Sequence, residues 1–590
     1  MKYIHLFLLL VSFNFSALAQ IESFEWVKNL QADDNIYNTA SQLDDQGNLF
    51  VAGKFNDSLD LDPSTGWDLL NSIDLFYSEL IGSDSDGYLA KYSPEGTLLW
   101  VKQFESFGNV MINSIQFDEM QNIVIAGVFR GKVDFDPGPD STFYTSPETN
   151  AQHAFIAKLD SVGDFLWAIE YPNSAVLSMD IDGLGNIYST GYFHDNIDFD
   201  PSEAEFFLYL GYFISSETFI LKLDGNGQFV WVKKINGSIP HPYHYNLGYH
   251  LALDNDFNIM ISGNSIGPAD FDPDNTNQYI LGEQEAQIIY FCKLDSSGTF
   301  LWAKSIDCGL DIGPGSHLTN ASSSIIDGMN NSYTAINFGD SLNINTGQET
   351  LNITSLEYGN TLILKLDSSG SYLWHKSFLS TYYGIIWDIA VDQLGDVYST
   401  GIFGDEMDFD PGVDSFILVA DSMGGAFINK LNSDGAFQWA HKITSENGNV
   451  EGLALCVDDS FEVYTSGVFA GYTDFGIGTP NQFLEGGLQY SVFIHKISQS
   501  ISTVGIEEYP DPLSLNICPN PARFNVNIKC DLMNNEALYF VDLFGRKIEK
   551  LDLKGKDEIS FDVSSYPSGM YFIQVEIDGK LLQSEKFIIE

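Results

Sequence analysis

Five times the chain carries the same acidic pair followed by proline: Asp60/Asp62, Asp134/Asp136, Asp198/Asp200, Asp270/Asp272 and Asp408/Asp410. In an extended segment, residues two apart point to one side, so each pair brings two carboxylates together. A hard cation such as Ca²⁺, which gathers about six to eight oxygens, is the cofactor such a set would take. The competing reading is a strand exit, in which each Asp caps neighbouring backbone amides and the proline ends the pairing. Asn343/Asn345 and Asp474/Gly476 occupy the corresponding places in two further segments and would bind a cation poorly.

A second stretch, "HPYHYNLGYH" at 241–250, concentrates ring side chains. Tyr243, Tyr245 and Tyr249 could stack on sugar rings, and His241, His244 and His250 could approach a transition metal, in what reads as a loop between two repeats. The histidine spacing matches no defined metal-ligand set. Other catalytic chemistry finds little support. A sialidase would need an arginine cluster, yet only Arg130 precedes the last hundred residues, and no Gly-x-Ser-x-Gly elbow, His-Glu-x-x-His helix or phosphate loop is present. The expectation is a binding or adhesion module for a polysaccharide or protein. The alternative is a hydrolase or lyase acting on polysaccharide in a central channel.

The elements that must hold these residues are set by repetition. "KLDSSGTFLWAK" (293–304) recurs as "KLDGNGQFVWVK" (222–233) and "KLDSSGSYLWHK" (365–376), and the tryptophans at 26, 100, 167, 231, 302, 374 and 439 are 64 to 74 residues apart. Each period holds four short strand-like segments joined by Asp- and Gly-containing turns suited to hairpins. Four-stranded antiparallel units at constant period predict an all-β fold, a seven-bladed β-propeller over 20–499. A solenoid would need capping repeats, and none is visible. Trp26 lacks the preceding Lys-Leu-Asp and Lys496 lacks the following Trp, so the N-terminal segment 23–28 is expected to supply the last strand of the last blade and close the ring. The long loops then collect on one face, opposite the tight turns, and function is expected there.

The pattern K-L-D-x-x-G-x-x-x-W followed by D-x-x-G-N-I-Y-x-x-G resembles the SBBP-type β-propeller repeat of exported bacterial proteins. Blade 5 departs from it, with Ala335 where the other blades have glycine. After a linker at 500–512, residues 513–590 carry "PNP", "LFGRKI", "YPSGMYFIQV" and "EKFII". This tail resembles the C-terminal sorting domain of the type IX secretion system, which implies recognition positions at Asn520, Pro521, Gly545, Arg546, Gly569 and Tyr571. The resemblance also implies a translocon and a sortase as partners, and removal of the domain after export through the periplasm of a Gram-negative bacterium. From its residues alone the tail reads as a small β-sandwich.

Composition agrees with export. Residues 1–19 read as a signal peptide, and no later stretch is long and apolar enough for a membrane helix. With 27 basic against 81 acidic residues and a net charge of −54, nucleic acid is excluded as a partner. Five scattered cysteines make no disulfide framework, although Cys518 and Cys530 could face each other across a hairpin. A monomer is expected.

Overall fold

The computed structural model describes residues 18–589 apart from 33–35, 63–68, 73–84, 147–150, 211–213, 238–243, 275–276, 284–285, 309–318, 340, 346–349, 355–358, 422–423, 478–481, 487–489, 504–515, 519–521, 530–535, 543–546, 552–557, 568 and 578–579. All regular elements among them are strands, and no helix is long and apolar enough to cross a membrane. The chain divides into two compact units, one of residues 22–499 and one comprising 500–590 together with 1–21.

In the first unit, successive quartets of strands pair antiparallel in chain order. The first sheet is Ile36–Leu43, Leu49–Phe55, Asp86–Tyr92 and Leu98–Phe104, and the fourth is His244–Leu253, Ile259–Ile266, Gln287–Leu294 and Phe300–Asp307. The fifth runs from Asn320–Ile326 to Tyr372–Ser380 and the sixth from Tyr383–Val391 to Phe437–Ser445. The last sheet takes Val450–Val457, Val463–Phe469 and Ser491–Thr503 from one end of the chain and Leu18–Ala32 from the other. The first strands of neighbouring sheets contact one another in order, and that of the last sheet contacts that of the first. This is a β-propeller architecture, with strands buried on both faces in the middle of each sheet and hydrophobic clusters between sheets.

A feature not expected from the repeat is a bulge in every first strand, for example between Asn38 and Ala40, Gly248 and His250, and Ile386 and Asp388. It crowds the neighbouring strand: a Cβ at Gly53 would stand 1.8 Å from the Tyr37 carbonyl oxygen. Register corrects the reading of blade 5. Ile336, paired with Ala321 at the bulge, takes the place of Gly53, while Ala335 corresponds to Ala52.

The connection between second and third strands forms a short outer hairpin that pairs with the outer strand of the preceding sheet. Thus Asp60 pairs with Gln31, Asp270 with Asn236, Asp408 with Leu379 and Asp474 with Thr444. Each such hairpin covers a sheet edge that would otherwise expose unpaired amides.

The second unit holds a three-stranded sheet (Asn516–Cys518, Asn525–Lys529, Glu558–Asp562) and a four-stranded sheet in the order Lys547–Leu551, Glu536–Asp542, Gly569–Ile577, Lys580–Ile589. They enclose one core of Val526, Ile528, Phe540, Ile573 and Phe587. Tyr571 stacks on Phe540 with ring centroids 4.9 Å apart and donates to the Pro567 carbonyl at 3.0 Å. Gly569 opens its strand. Asn520, Pro521, Gly545 and Arg546 lie outside the described residues, as does Cys530; the backbone partner of Cys518 is Asn527.

Candidate functional site and the joints that frame it

The repeated Lys and Trp meet at the joints between sheets. Lys293 Nζ and Trp302 Nε1 both donate to the Ser368 carbonyl, each at 3.2 Å, and Lys365 and Trp374 converge on the Ser433 carbonyl at 3.0 and 3.3 Å. Those carbonyls belong to the hairpin turn of the next sheet. On its own sheet, Lys293 reaches Asp254 at 2.7 Å and Lys158 reaches Asp118 at 2.8 Å. Burial pushes the Asp118 and Asp254 carboxyls up, but hydrogen bonds from the lysine and from Asn122 or Asn258 outweigh it, and both end below the usual carboxylate range. A buried ion pair carrying further hydrogen bonds is costly to break from one side.

The two ends of the repeat rebuild the same joint. Lys496 Nζ donates to the Pro94 carbonyl at 2.9 Å and Trp26 Nε1 to the same oxygen at 3.1 Å. The Trp26 ring meets Tyr464 edge-on at 6.2 Å, as Trp374 meets Tyr333 at 5.8 Å. Gly96 in the opposing turn has φ +77°, and a Cβ there would lie 2.9 Å from the Trp26 ring.

In the Asp-x-Asp-Pro segments the carboxylates accept from loop backbone. Asp134 Oδ1 accepts from the amides of Asp136 and Thr142, at 3.1 and 2.7 Å. Asp198 Oδ1 accepts from Asp200 and Phe206, Asp270 from Asp272 and Tyr279, and Asp408 from Asp410 and Phe416. Asp60 accepts from Asp62. The second carboxylates turn to amides two residues further on, Asp136 to Gly138, Asp200 to Ser202, Asp272 to Asp274 and Asp410 to Gly412. They therefore lie on the outer hairpins and cap loop backbone. No group of three or more His, Cys, Asp or Glu side chains gathers as metal ligands among the described residues.

What the pairs flank was missed in the sequence. The residue between the two aspartates, Leu61, Phe135, Phe199, Phe271 or Phe409, is fully buried, and Phe475 is its counterpart in the last sheet. Phe135 packs on Phe155, Phe271 on Tyr290 and Phe409 on Phe427, with centroids 4.5 to 4.9 Å apart. The motif is a plug capped on both sides.

The 241–250 segment also falls elsewhere than expected. From His244 it is a first strand, not a loop: Tyr245 to Leu253 pair antiparallel with Ile259–Ile266, and Gly248 allows close approach to Thr190 and Thr218 of the preceding sheet. His241 and Tyr243 lie outside the described residues. Tyr245 is half-buried, near the start of the strand, and burial raises its hydroxyl pKa. His250 sits five residues on, where burial lowers its imidazole to about 4 against hydrogen bonds with the Ala321 and Ser322 backbone.

His250 instead faces a cavity of about 870 Å³, lined by the ends of first strands and by their tight turns. Gln42, Gln116, Asp180, His250, Ser323 and Asp388 contribute polar groups to it. Asp180 accepts from the Leu253 amide of the next sheet at 2.8 Å, and Asp388 from the Leu455 amide and the Ser323 hydroxyl, both at 2.8 Å. Burial raises both carboxyls to about 6, against those hydrogen bonds. The cavity opens at the tight-turn ends of the strands, away from the long connections where function was expected. In every first strand but the last its sequence signal is a polar residue two or four places before the Asp that opens the tight turn; before Asp458 those places hold Cys456 and Ala454.

Residues 516–590 match the family described as the secretion system C-terminal sorting domain. The chain is therefore a secreted protein directed to the type IX secretion system, consistent with an extracellular or surface location. An uncharacterised WD repeat-containing protein of Acanthamoeba polyphaga mimivirus is 23% identical over 440 residues, 65% of this chain and 30% of that protein. The chain thus matches less than a third of that relative. Among solved structures, a protein of unknown function from Dyadobacter fermentans DSM 18053 is 13% identical, with 66% of this chain and 94% of that chain covered and a TM-score of 0.32. The Dos1 propeller is 7% identical over 66% of this chain and 91% of that one, with a TM-score of 0.31.

Proposed function

We propose that the protein is an exported binding module: seven blades in one ring, closed by the N-terminal strand, carried out of the cell by a sorting domain that is then removed. The reading rests most on the cavity at the ring centre, where side chains from separate sheets present amides, hydroxyls, carboxylates and an imidazole to one space. A concave site with convergent polar groups is where a ligand is held, and a polysaccharide or a protein loop are the ligand classes such groups suit. Adhesion follows if the mature domain stays attached at the surface.

The alternative, a polysaccharide hydrolase or lyase, draws on one observation, two carboxyls near a pKa of 6 in the same cavity, suited to acid and base work. Against it, each spends its oxygens on backbone amides of neighbouring strands. Incubating purified protein with a panel of polysaccharides separates the readings: retention without products supports binding, reducing ends or unsaturated products support the enzyme, and neither overturns both. Deleting 513–590 should leave the protein in the periplasm; unchanged export would overturn the sorting role.

A further inference from the structure

The face on which the cavity opens carries two sets of tight turns, and they differ in composition. The outer set, joining third to fourth strands, has polar tips at Glu95, Asn226, Ser297, Ser369 and Asp434, with Val162 as the apolar exception. The inner set, joining first to second strands nearer the ring centre, has Met120, Leu184, Met329 and Leu394 at the corresponding place, 62 to 83% exposed. Tight turns favour Gly, Asn, Asp and Ser, so hairpin geometry does not account for these side chains. Phe257 adds a fifth: it is exposed and stands at φ +59°, where the equivalent residues of two other inner turns are Gly185 and Gly395. A bulky side chain in the left-handed region is strained, and such strain collects at functional surfaces.

The inner turns adjoin one another as a collar. A Cβ at Gly183 would lie 3.5 Å from the Glu119 carboxylate and 3.7 Å from the Phe257 ring. Asn255 Nδ2 donates to the Gly328 carbonyl at 2.8 Å, Gln121 Nε2 to Asp45 Oδ2 at 2.8 Å and Gln393 Nε2 to Asp459 Oδ1 at 2.6 Å. At 44–47 and 458–460 the collar is polar and lines the cavity. Charge beside the apolar tips has one sign: Asp45, Glu119, Asp256 and Asp459 are exposed, and no inner turn contains Lys, Arg or His. Among the described residues no ion pair reaches these four, because the joint lysines go to the buried Asp that opens each turn, as Lys158 does to Asp118 and Lys293 to Asp254. Exposed apolar side chains rimmed by charge mark an interaction surface. Met and Leu offer a sugar no flat ring face, but they adapt to the apolar side chains of a polypeptide. A second copy of this chain would bring its own net charge of −54 against the same acidic rim.

We propose that the collar docks a basic, amphipathic polypeptide segment of a partner protein, its apolar side chains on Met120, Leu184, Phe257, Met329 and Leu394 and its lysines or arginines against the four carboxylates. This rests on the binding-module reading and narrows the ligand to protein. The test is calorimetric titration of the full chain with a short peptide of alternating Leu and Lys and with a Ser-Lys counterpart of equal length and charge. The Leu-Lys peptide should bind at least tenfold more tightly. M120S/L184S/M329S/L394S should lose that advantage, V162S on the outer turns should keep it, and D45N/E119Q/D256N/D459N should weaken both peptides. Equal affinity for the two peptides, an unchanged quadruple serine variant, or no binding of either overturns the proposal. So does a wild type that sediments as a dimer beside a monomeric serine variant, which assigns the collar to a second copy, or one that floats with phosphatidylcholine vesicles when the variant does not, which assigns it to lipid. If the quadruple variant fails to fold, L184S and M329S decide singly, and unchanged affinity in both overturns it. Retention of a polysaccharide from the panel would leave the binding-module reading standing when this one fails.

Discussion

Ser23 and Ser498 sit 475 positions apart in the chain, yet their hydroxyl oxygens are 2.7 Å from each other. Replacing both by cysteine, S23C/S498C, therefore places two thiols where a disulfide can form between the two ends of the propeller. Applied to a closed loop of this size, the chain-entropy relation gives about 6 kcal/mol of stabilisation, and measured crosslinks usually return about 2–4 kcal/mol. Cys292, Cys308 and Cys456 are buried and will not compete. The expected result is a loss of two hydrogens in intact mass for the oxidised double variant relative to the wild type treated alike, and a rise in melting temperature over that wild type that reduction removes. Each single variant should show neither. The refuting outcome is a folded double variant in which both new thiols remain open to alkylation under oxidising conditions, for then the N-terminal strand is not seated beside the last one.

Further expectations follow from the same contacts. W26A and W374A each remove a half-buried indole with the same partners, so each should cost about 2–4 kcal/mol; a W26A protein as stable as the wild type in denaturant titration, beside a destabilised W374A, contradicts the shared joint. K293M leaves Asp254 buried without its cation and should cost about 3–5 kcal/mol, read from the same titration. The Asp388 carboxyl is raised to about 6 in the fold, so the folded state holds a proton that the unfolded chain releases near the ordinary Asp value of about 4. Its contribution is present below about pH 4 and is lost as the pH rises through 6, so the stability of the wild type relative to D388N should fall by up to about 3 kcal/mol between pH 4 and 7; a constant difference rules this out. Because one oxygen of each first Asp in the Asp-x-Asp-Pro segments already accepts backbone amides, adding Ca²⁺ should leave the melting temperature unchanged, and a rise would show cation binding at these pairs.

Much of the framework was legible because it is periodic. The spacing of tryptophans, the Asp and Gly of each tight hairpin, and the orphaned Trp26 and Lys496 all report backbone geometry, which a sequence carries directly. The site was legible only in fragments. Whether a carboxylate pair waits for a cation depends on where its lone pairs already point, and Asp134 and Asp136 each turn Oδ1 to amides up to eight residues away. The buried Phe135 between them is one apolar residue flanked by charges, and its burial comes from packing on Phe155 of the same sheet. From sequence His244 to His250 read as a loop because a bulged strand beside a glycine breaks strict alternation. Asp180 and Asp388 are single acidic residues in otherwise ordinary strands, and only the convergence of those strands gives them a common cavity.

The position of the chain break sharpens the point. A ring of hairpins can be opened at any turn, but opening it between third and fourth strands removes the turn whose carbonyl receives Lys and Trp from the preceding sheet. By register from Lys496, Gln499 stands where Ser368 and Ser433 stand in their hairpins, and its side-chain Oε1 lies 3.4 Å from both Lys430 Nζ and Trp439 Nε1. Its Nε2 donates onward to the Phe461 carbonyl at 2.6 Å and the Tyr398 hydroxyl at 3.1 Å. A side-chain amide, which offers the same oxygen as a peptide, thus stands in for the missing turn. The break is built into the joint: one buried glutamine restores the acceptor on one side of the last sheet, and Trp26 with Lys496 restores the donors on the other.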